Sequence, residues 1–203
     1  MIPDDYFDRF ATAKYQERSR LKRHLIKRFV ERFHGLFLRA SPVESVLEVG
    51  MGEGFLSGYL SERFPSVRFE GIDLDGDGLS RAKVLFPRIT THHGSVYDLD
   101  KLGSSFDLIM CCEVLEHLDD PDRALAAICA KRPKHVIFTV PHEPFFMLSN
   151  LLRGKNVARF GNDIDHHNHW GQRSFRALLD RRFEVVEQTA SYPFLLALAT
   201  PRP

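Results

Sequence analysis

Short apolar runs alternate with helical segments along most of the chain, and this alternation most constrains the fold. The predicted strands are residues 45–49, 67–72, 89–92, 106–112 and 136–140, and the predicted helices are residues 56–63, 79–86, 121–130 and 175–179. Strands separated by helices form βαβ units, and continuously apolar strands are covered on both faces. Residues 183–189 and 194–199 are expected to pair as a closing hairpin. The sequence therefore predicts an α/β fold with a doubly wound, mostly parallel sheet of seven strands and a C-terminal antiparallel hairpin.

The first forty residues lack this alternation and are predicted to be helical from about 3 to 39. The apolar residues that recur there at helical spacing are Leu21, Leu25, Phe29, Phe33 and Leu36. Between positions 14 and 32, eight Lys and Arg residues stand against two Glu residues. A solvated helix face is the favoured interpretation, and a basic lid for an anionic substrate is the alternative. We predict a helical extension or lid over 1–40 and one sheet domain over 41–203, with a lid insertion at about 142–171.

Composition excludes several classes of protein. Lys and Arg number 28 against 27 Asp and Glu, a formal net charge of +1, which argues against binding nucleic acid by bulk charge alone. Three cysteines, two of them adjacent in an apolar run, are too few for a disulfide scaffold. No stretch approaches the roughly 18 apolar residues of a membrane span, and the acidic N-terminus does not resemble a secretory signal. We expect a soluble, cytoplasmic protein, and the sequence leaves its oligomeric state open.

A glycine-rich turn follows the first predicted strand. Gly50, Gly52 and Gly54 lie between that strand and the next helix, where glycine lets the backbone turn tightly and lets a ligand approach the main chain. Asp73 ends the second predicted strand, and a carboxylate there can accept both hydrogen bonds of a ribose diol. Because the carboxyl ends of parallel strands share one edge of the sheet, both features predict one binding crevice.

The spacing of the glycines separates two ligand classes. A dinucleotide fingerprint, G-x-G-x-x-G, needs its third glycine at position 55, which is Phe55, so a nicotinamide oxidoreductase is disfavoured. The form E-x-G-x-G-x-G at 48–54 instead resembles motif I of the class I S-adenosylmethionine (SAM)-dependent methyltransferases. Residues 71–75 (GIDLD), 93–99 (HGSVYDL) and 106–121 (FDLIMCCEVLEHLDDP) resemble later motifs of the same family in the same order. The resemblance runs from Val43 onward and implies a Rossmann-like sheet with SAM as the cofactor.

That resemblance also implies the cofactor contacts. In this sequence they fall on Glu48 and the backbone of Gly50, Gly52 and Gly54 for the methionine portion, Asp73 for the ribose, Leu74 for the adenine face, and Ser95 and Val96 for the base edge. Two positions depart from the family pattern. Met51 replaces the small residue common in the glycine loop, and Ser95 stands where an aspartate is common.

Carboxylate and imidazole side chains follow the fourth predicted strand. Glu113, Glu116 and His117 are spaced so that one helical turn can place them on one face, and together they offer half of a shell for a divalent cation. Residues 162–170 (NDIDHHNHW) add a cluster of histidines in the predicted lid, next to the only tryptophan. A lid after the fifth strand can fold over the crevice at the fourth.

These two motifs, E-x-x-E-H and D-H-x-x-x-W, resemble those of the metal-dependent small-RNA 3′-terminal 2′-O-methyltransferases. The resemblance implies a divalent metal held by Glu113, Glu116, His117 and His166. The E-x-x-E-H part also resembles the ubiquinone-biosynthesis O-methyltransferases, whose substrates are catechol-like. Without a metal, the expected general base is one of four histidines, because the ordinary pKa of histidine, about 6.5, suits proton removal at neutral pH. Those residues are His117, His166, His167 and His169.

The favoured function is that of an enzyme, a SAM-dependent methyltransferase. The apolar start of the lid, residues 144–148, favours a small, partly hydrophobic acceptor, with a hydroxyl oxygen as the favoured target. The first alternative is a metal-dependent RNA 3′-end 2′-O-methyltransferase, which the balanced charge makes less favoured. The second alternative is a SAM-binding partner subunit without catalysis. The sequence does not identify the methyl acceptor.

Overall fold

The computed structural model describes residues 2–16, 19–103, 105–152 and 166–202. The helices are α1 (Asp4–Phe7), α2 (Ala13–Gln16), α3 (Arg20–Ala40), α4 (Phe55–Arg63), α5 (Gly76–Leu85), α6 (Pro121–Ala130), α7 (Phe145–Leu152) and α8 (Gln172–Leu179). The strands are β1 (Ser45–Val49), β2 (Arg68–Asp73), β3 (Thr90–His93), β4 (Leu108–Cys112), β5 (His135–Pro141), β6 (Phe183–Ser191) and β7 (Phe194–Pro201). Two short 3-10 segments, Val96–Lys101 and Leu115–His117, follow β3 and β4. Within these described ranges, no helix combines the length and apolarity that crossing a membrane requires.

The seven strands form one sheet in the order β3-β2-β1-β4-β5-β7-β6. Strands β1 to β5 pair in parallel, and β7 pairs antiparallel with both β5 and β6. The predicted α/β class, the seven-stranded doubly wound sheet and the antiparallel hairpin are confirmed. The order reverses between β1 and β4, and such a switch point opens a crevice at the carboxyl ends of the strands.

The hydrophobic core has two layers, one on each face of the sheet. Strand β4 shows why the strand sequences are apolar throughout. Leu108, Met110 and Cys112 belong to the core that α3, α4 and α5 cover, whereas Ile109 and Cys111 belong to the core that α6 and α8 cover. Both adjacent cysteines are buried free thiols, as the apolar run predicts. The carboxylates of Glu113 and Glu116 therefore follow a strand that is buried on both faces.

The N-terminal region departs from the single helix predicted over 3–39. Over residues 2–16 and 19–40, it forms α1, α2 and α3, and the residues between α1 and α2 leave the helical path to bond the glycine loop. The amide of Ala11 donates to Glu53 Oε2 and the hydroxyl of Thr12 donates to Glu53 Oε1, both at 2.7 Å. Those tertiary hydrogen bonds replace the continuous ladder that one long helix would have made. The domain boundary predicted at residue 40 coincides with the end of α3 and stays a prediction.

The apolar face of α3 also differs from the predicted one at its first position. Leu21 belongs to the set of apolar residues at helical spacing, yet its side chain is 68% exposed. At 100° per residue, Leu21 lies about 80° away from Phe29 around the helix, outside the buried stripe. The residues of α3 that are buried are Phe29, Val30, Phe33, Leu36, Phe37 and Ala40. The buried residues of the helix thus begin at Phe29 and continue to its C-terminal end.

Candidate functional site

The turn from β1 to α4 is built from three glycines in the left-handed region. Gly50, Gly52 and Gly54 have φ of 72°, 50° and 77°. A Cβ atom at Gly50 would lie 2.3 Å from Val114 Cγ2, so close approach as well as φ requires glycine there. The amide of Gly50 donates to the carbonyl of Ile72 at 2.8 Å, which ties the turn to the end of β2. The turn therefore presents bare backbone at the switch point.

Asp73 braces the glycine turn from the neighbouring strand. Its Oδ2 accepts from the amide of Gly52 and its Oδ1 accepts from the amide of Asp75, both at 2.7 Å. A carboxylate oxygen can accept a second hydrogen bond, so this orientation leaves acceptor capacity for a diol. The structure places Asp73 where the ribose contact is predicted.

Glu48 is a buried carboxylate on the floor of the crevice. Only 3% of its surface is exposed, and its Oε2 accepts from the amide of Ser57 at 3.0 Å and from the Ser57 hydroxyl. Burial raises the pKa of Glu48 to about 7, despite the opposing effect of the Ser57 hydrogen bonds. The negative charge of Glu48 therefore switches within the physiological pH range.

Two adjoining pockets meet at Gly50 and Glu113, which line both. The first pocket has a volume of about 210 Å³, and the residues that line it include Thr12, Tyr15, Ile26, Phe29, Glu48, Gly52, Cys112 and Phe194. The second has about 290 Å³, and the residues that line it include Asp73, Leu74, Ser95, Val96, Val114 and His117. The combined volume of the two pockets falls within the ~300–1,000 Å³ typical of small-molecule sites. All predicted cofactor residues except Gly54 line one pocket or the other, and Gly54 caps α4 beside them.

Glu113 stands at the junction with an unusual backbone. Its φ is 57°, in the left-handed region that non-glycine residues rarely adopt. Its amide donates to the carbonyl of Thr139 at 3.1 Å, and the Thr139 hydroxyl donates to Glu113 Oε1 at 2.9 Å. Strain of this kind persists where surrounding contacts hold a residue in place, and it concentrates at functional sites. The two bonds from β5 hold Glu113 at the junction of the pockets.

Three of the four predicted metal ligands converge. One potential ligand atom from each of Glu116, His117 and His166 lies within 4.8 Å of the others. The rings of His117 and His166 have centroids 5.0 Å apart, and Glu116 is 1% exposed. Glu113, the fourth predicted ligand, lies outside this cluster, because its side chain turns toward Thr139. One carboxylate and two imidazoles make a donor set suited to a divalent cation of the first transition row.

The other two predicted catalytic histidines lie apart from the cluster. His167 Nδ1 is 3.0 Å from Asp119 Oδ1, and about half of the His167 side chain is exposed. His169 is also exposed. Of the four histidines proposed as a general base, all of them in the described part of the chain, only His117 and His166 share a site, and only His117 lines either of these two pockets.

We define the N-terminal cover as residues 2–16. The sequence predicts a helical extension or lid over 1–40 but does not identify the residues that attach this cover to the crevice. Tyr15 stacks on Phe55, with ring centroids 4.0 Å apart and an angle of 5° between the ring planes, and it lines the first pocket. Glu53 is only a variable position of the glycine motif in the sequence, but in the structure it accepts the hydrogen bonds from Ala11 and Thr12 that hold the cover. The available signal was the aromatic density of this stretch, four aromatic residues between positions 6 and 15. The N-terminal cover closes over the same loop that forms the cofactor crevice.

An α/β sheet with a glycine turn, a braced acidic residue on β2 and a divided pocket at the switch point defines a nucleoside-cofactor-binding domain. A family model of the methyltransferase domain matches residues 15–188. The chain belongs to this family, within the class I SAM-dependent methyltransferase superfamily.

Several known proteins resemble the chain over part or all of its length. The mitochondrial ubiquinone biosynthesis O-methyltransferase of Saccharomyces cerevisiae is 30% identical over 134 residues, which cover 62% of this chain and 43% of that protein. The small RNA 2′-O-methyltransferase of Rattus norvegicus is 33% identical over 91 residues, which cover 43% of this chain and 21% of that protein. The chain thus matches less than half the length of either relative. Among solved structures, the N-methyltransferase NodS from Bradyrhizobium japonicum, in complex with S-adenosyl-L-homocysteine (SAH), aligns with a TM-score of 0.68 at 18% identity, covering 98% of this chain and 97% of that one.

Proposed function

We propose that the protein transfers the methyl group of SAM to a hydroxyl oxygen of a small, partly hydrophobic acceptor. The observation that carries the proposal is the position of His117, which lines the second pocket and also belongs to the Glu116–His117–His166 cluster. A group that binds acceptor oxygens would thus adjoin the cofactor crevice. The similarity to a ubiquinone biosynthesis O-methyltransferase supports an oxygen acceptor.

The cofactor would span both pockets. Asp73, Leu74, Ser95 and Val96 would receive the adenosine in the second pocket. Glu48 would face the methionine ammonium in the first pocket, where an ionised carboxylate pairs with a cation. SAM supplies an electrophilic methyl group on a sulfonium, and the protein must align the nucleophile with it.

The acceptor would enter beside Tyr15, Ile26, Phe29 and Phe194, which give the first pocket an apolar wall. A divalent cation held by Glu116, His117 and His166 would supply positive charge that favours the ionised form of a bound hydroxyl. Glu113, at the junction of the pockets, would orient the acceptor by accepting a hydrogen bond. An apolar wall beside carboxylates and imidazoles suits a catechol-like ring with an apolar substituent.

Calorimetric titration with SAH tests the cofactor half of the proposal. Asp73→Ala should weaken SAH binding at least tenfold, because it removes the diol acceptor and the brace on Gly52. Asp77→Ala is the matched control, since it removes a nearby exposed carboxylate on α5 that borders neither pocket. Absence of SAH binding to the wild-type protein, or equal affinities of all three proteins, would refute the cofactor site.

Methyl-transfer assays with two acceptors test the acceptor half. The acceptors are a catechol with an alkyl tail and a short RNA with a 3′-terminal diol, each assayed with Mn²⁺ and with EDTA. We expect methylation of the catechol, loss of activity in EDTA, and loss in Glu116→Gln. Activity that EDTA leaves intact would contradict the cation, and SAH binding without transfer to either acceptor would favour a non-catalytic SAM-binding subunit.

The second candidate is an RNA 3′-end 2′-O-methyltransferase. One observation favours it besides the similarity to the rat small RNA enzyme. Helix α3, whose Ile26 and Phe29 line the first pocket, exposes Arg20, Arg28 and Arg32. Methylation of the RNA and not the catechol, with affinity that falls steeply as salt rises, would establish this candidate instead.

A further inference from the structure

The histidine segment, which we define as residues 166–170, lies directly on the 3-10 segment Leu115–His117. The amides of His167 and Asn168 both donate to one carbonyl oxygen, that of Glu116, at 2.8 and 3.1 Å. At the far end of the segment, the amide of Glu143 donates to the carbonyl of Trp170 at 2.9 Å. The backbone of the histidine segment is therefore tied to the residue that supplies the carboxylate of the cluster.

The side chain of Asn168 completes this attachment. Its Nδ2 donates to the carbonyl of Leu118 at 2.6 Å and to the carbonyl of Leu115 at 3.3 Å. These carbonyls flank Glu116 and His117 on both sides. Because both partners are acceptors, only an amide nitrogen with its two hydrogens can serve both. Aspartate has the same shape as asparagine and cannot donate either bond.

We infer that Asn168 is a positioning residue that holds His166 beside Glu116 and His117. The inference rests on the proposed cation site, because it assigns the residue that orients one of its ligands. His166 lies two residues before Asn168, and its ring also packs on Phe146 with centroids 5.3 Å apart. The hydrogen bonds of Asn168 fix the position of the histidine segment along the 3-10 segment, and that position decides where the His166 imidazole falls. Residues that orient ligands in this way typically contribute ~10–100-fold to metal affinity.

The experiment compares Asn168→Asp, His166→Ala and Arg173→Ala with the wild-type protein, using two readouts. The first is the Mn²⁺ dissociation constant by calorimetry, and the second is hydrogen exchange at the amides of His167 and Asn168, which both donate to the Glu116 carbonyl. Asn168→Asp should weaken Mn²⁺ binding at least tenfold and speed exchange. The added negative charge alone would strengthen cation binding, so weaker binding reports lost positioning. His166→Ala should lose Mn²⁺ binding and keep exchange slow, whereas Arg173→Ala, on the exposed start of α8, should change neither.

The two readouts separate failure of this inference from failure of the proposed cation site. Wild-type protein that binds no Mn²⁺ would refute the cation site. In that case hydrogen exchange alone tests the positioning role, and exchange in Asn168→Asp as slow as in the wild type would refute it. Mn²⁺ binding in Asn168→Asp within twofold of wild type would refute the inference even with the cation site intact. If Asn168→Asp does not fold, Asn168→Ala replaces it, because water can reach the carbonyls that it leaves, and the same limits apply.

Discussion

The N-terminal cover packs on the glycine turn, whereas the histidine segment lies on the 3-10 segment Leu115–His117, and the two are held by different physical forces. The N-terminal cover is attached by aromatic packing, with Tyr6, Phe10 and Tyr15 around Phe55, reinforced by one buried carboxylate. The histidine segment is attached by hydrogen bonds to backbone carbonyls, and His167 and His169, on either side of Asn168, are exposed. Apolar burial contributes stability with little directional precision, whereas hydrogen bonds fix position. The first attachment suits a cover and the second suits the placement of a ligand atom.

Phe55→Ala should produce the largest effect, because it removes the centre of the aromatic attachment. Phe55 is 4% exposed and contacts four rings of the N-terminal cover, those of Tyr6, Phe7, Phe10 and Tyr15. Truncation of a buried phenylalanine costs about 3–5 kcal/mol. Urea unfolding measures the change, and Phe55→Leu, which keeps most of the volume, should cost less than half as much. A loss below about 1 kcal/mol for Phe55→Ala would contradict the aromatic attachment.

Glu48, beneath the N-terminal cover, makes the stability of the fold depend on pH. Its folded pKa of about 7 lies above the ordinary value of 4.5, so its stabilising contribution is complete below pH 4.5 and is lost as pH rises through 7. The loss is about 3 kcal/mol. Glu48→Gln should remove that part of the pH profile in urea unfolding. SAH affinity should change in the opposite direction, rising toward pH 8 as Glu48 ionises, and a pH-independent affinity would contradict its contact with the ammonium.

Glu53→Ala tests the polar reinforcement of the N-terminal cover. It leaves the amide of Ala11 and the hydroxyl of Thr12 without their partner, and hydrogen bonds to a charged group contribute about 1.5–3 kcal/mol. Thr12→Val, which removes one of the two bonds, should cost about half as much. Limited proteolysis should cut the first 16 residues faster in Glu53→Ala than in Thr12→Val. Equal rates in both variants and the wild type would show that Glu53 does not help to hold the cover.

Asp119→Asn should have the smallest effect. Its ion pair with His167 joins an Asp119 side chain that is 93% exposed to a half-exposed ring, and water screens such pairs. The unfolding midpoint and Mn²⁺ affinity should match the wild type. A clear loss of Mn²⁺ affinity in Asp119→Asn would mean that the charge of Asp119, rather than the amide of Asn168, orients the histidine segment.

The sheet was predictable because its determinants are local. Burial on both faces makes β4 and β5 continuously apolar, and turn chemistry makes Gly50 and Asp73 recognisable in one sequence. The N-terminal region was not predictable in the same way. Helical propensity favours one helix there, and the break between α1 and α2 comes with bonds to Glu53, some 40 residues away in the chain. Leu21 shows the related limit, since a spacing of four residues drifts around the helix over several turns.

The candidate site was predictable in residue type and only partly in geometry. Motif spacing selected Glu116, His117 and His166, which converge, but it gave the same weight to Glu113, whose left-handed backbone turns it toward Thr139. It also gave the same weight to His167 and His169. Sequence cannot separate neighbouring histidines, because which one faces inward depends on how Asn168 bonds to the carbonyls around Glu116.

Glu53 has one further consequence, which follows from its place between two glycines of the cofactor turn. A ligand that fixes this turn also fixes the acceptor of the bonds from Ala11 and Thr12. Thermodynamic linkage then requires reciprocity: if a bound ligand favours the docked cover, the docked cover favours the bound ligand by the same factor. Such coupling would favour ordered binding and slow product release. The residence time of the spent cofactor would then be set partly by how tightly the N-terminal cover is docked.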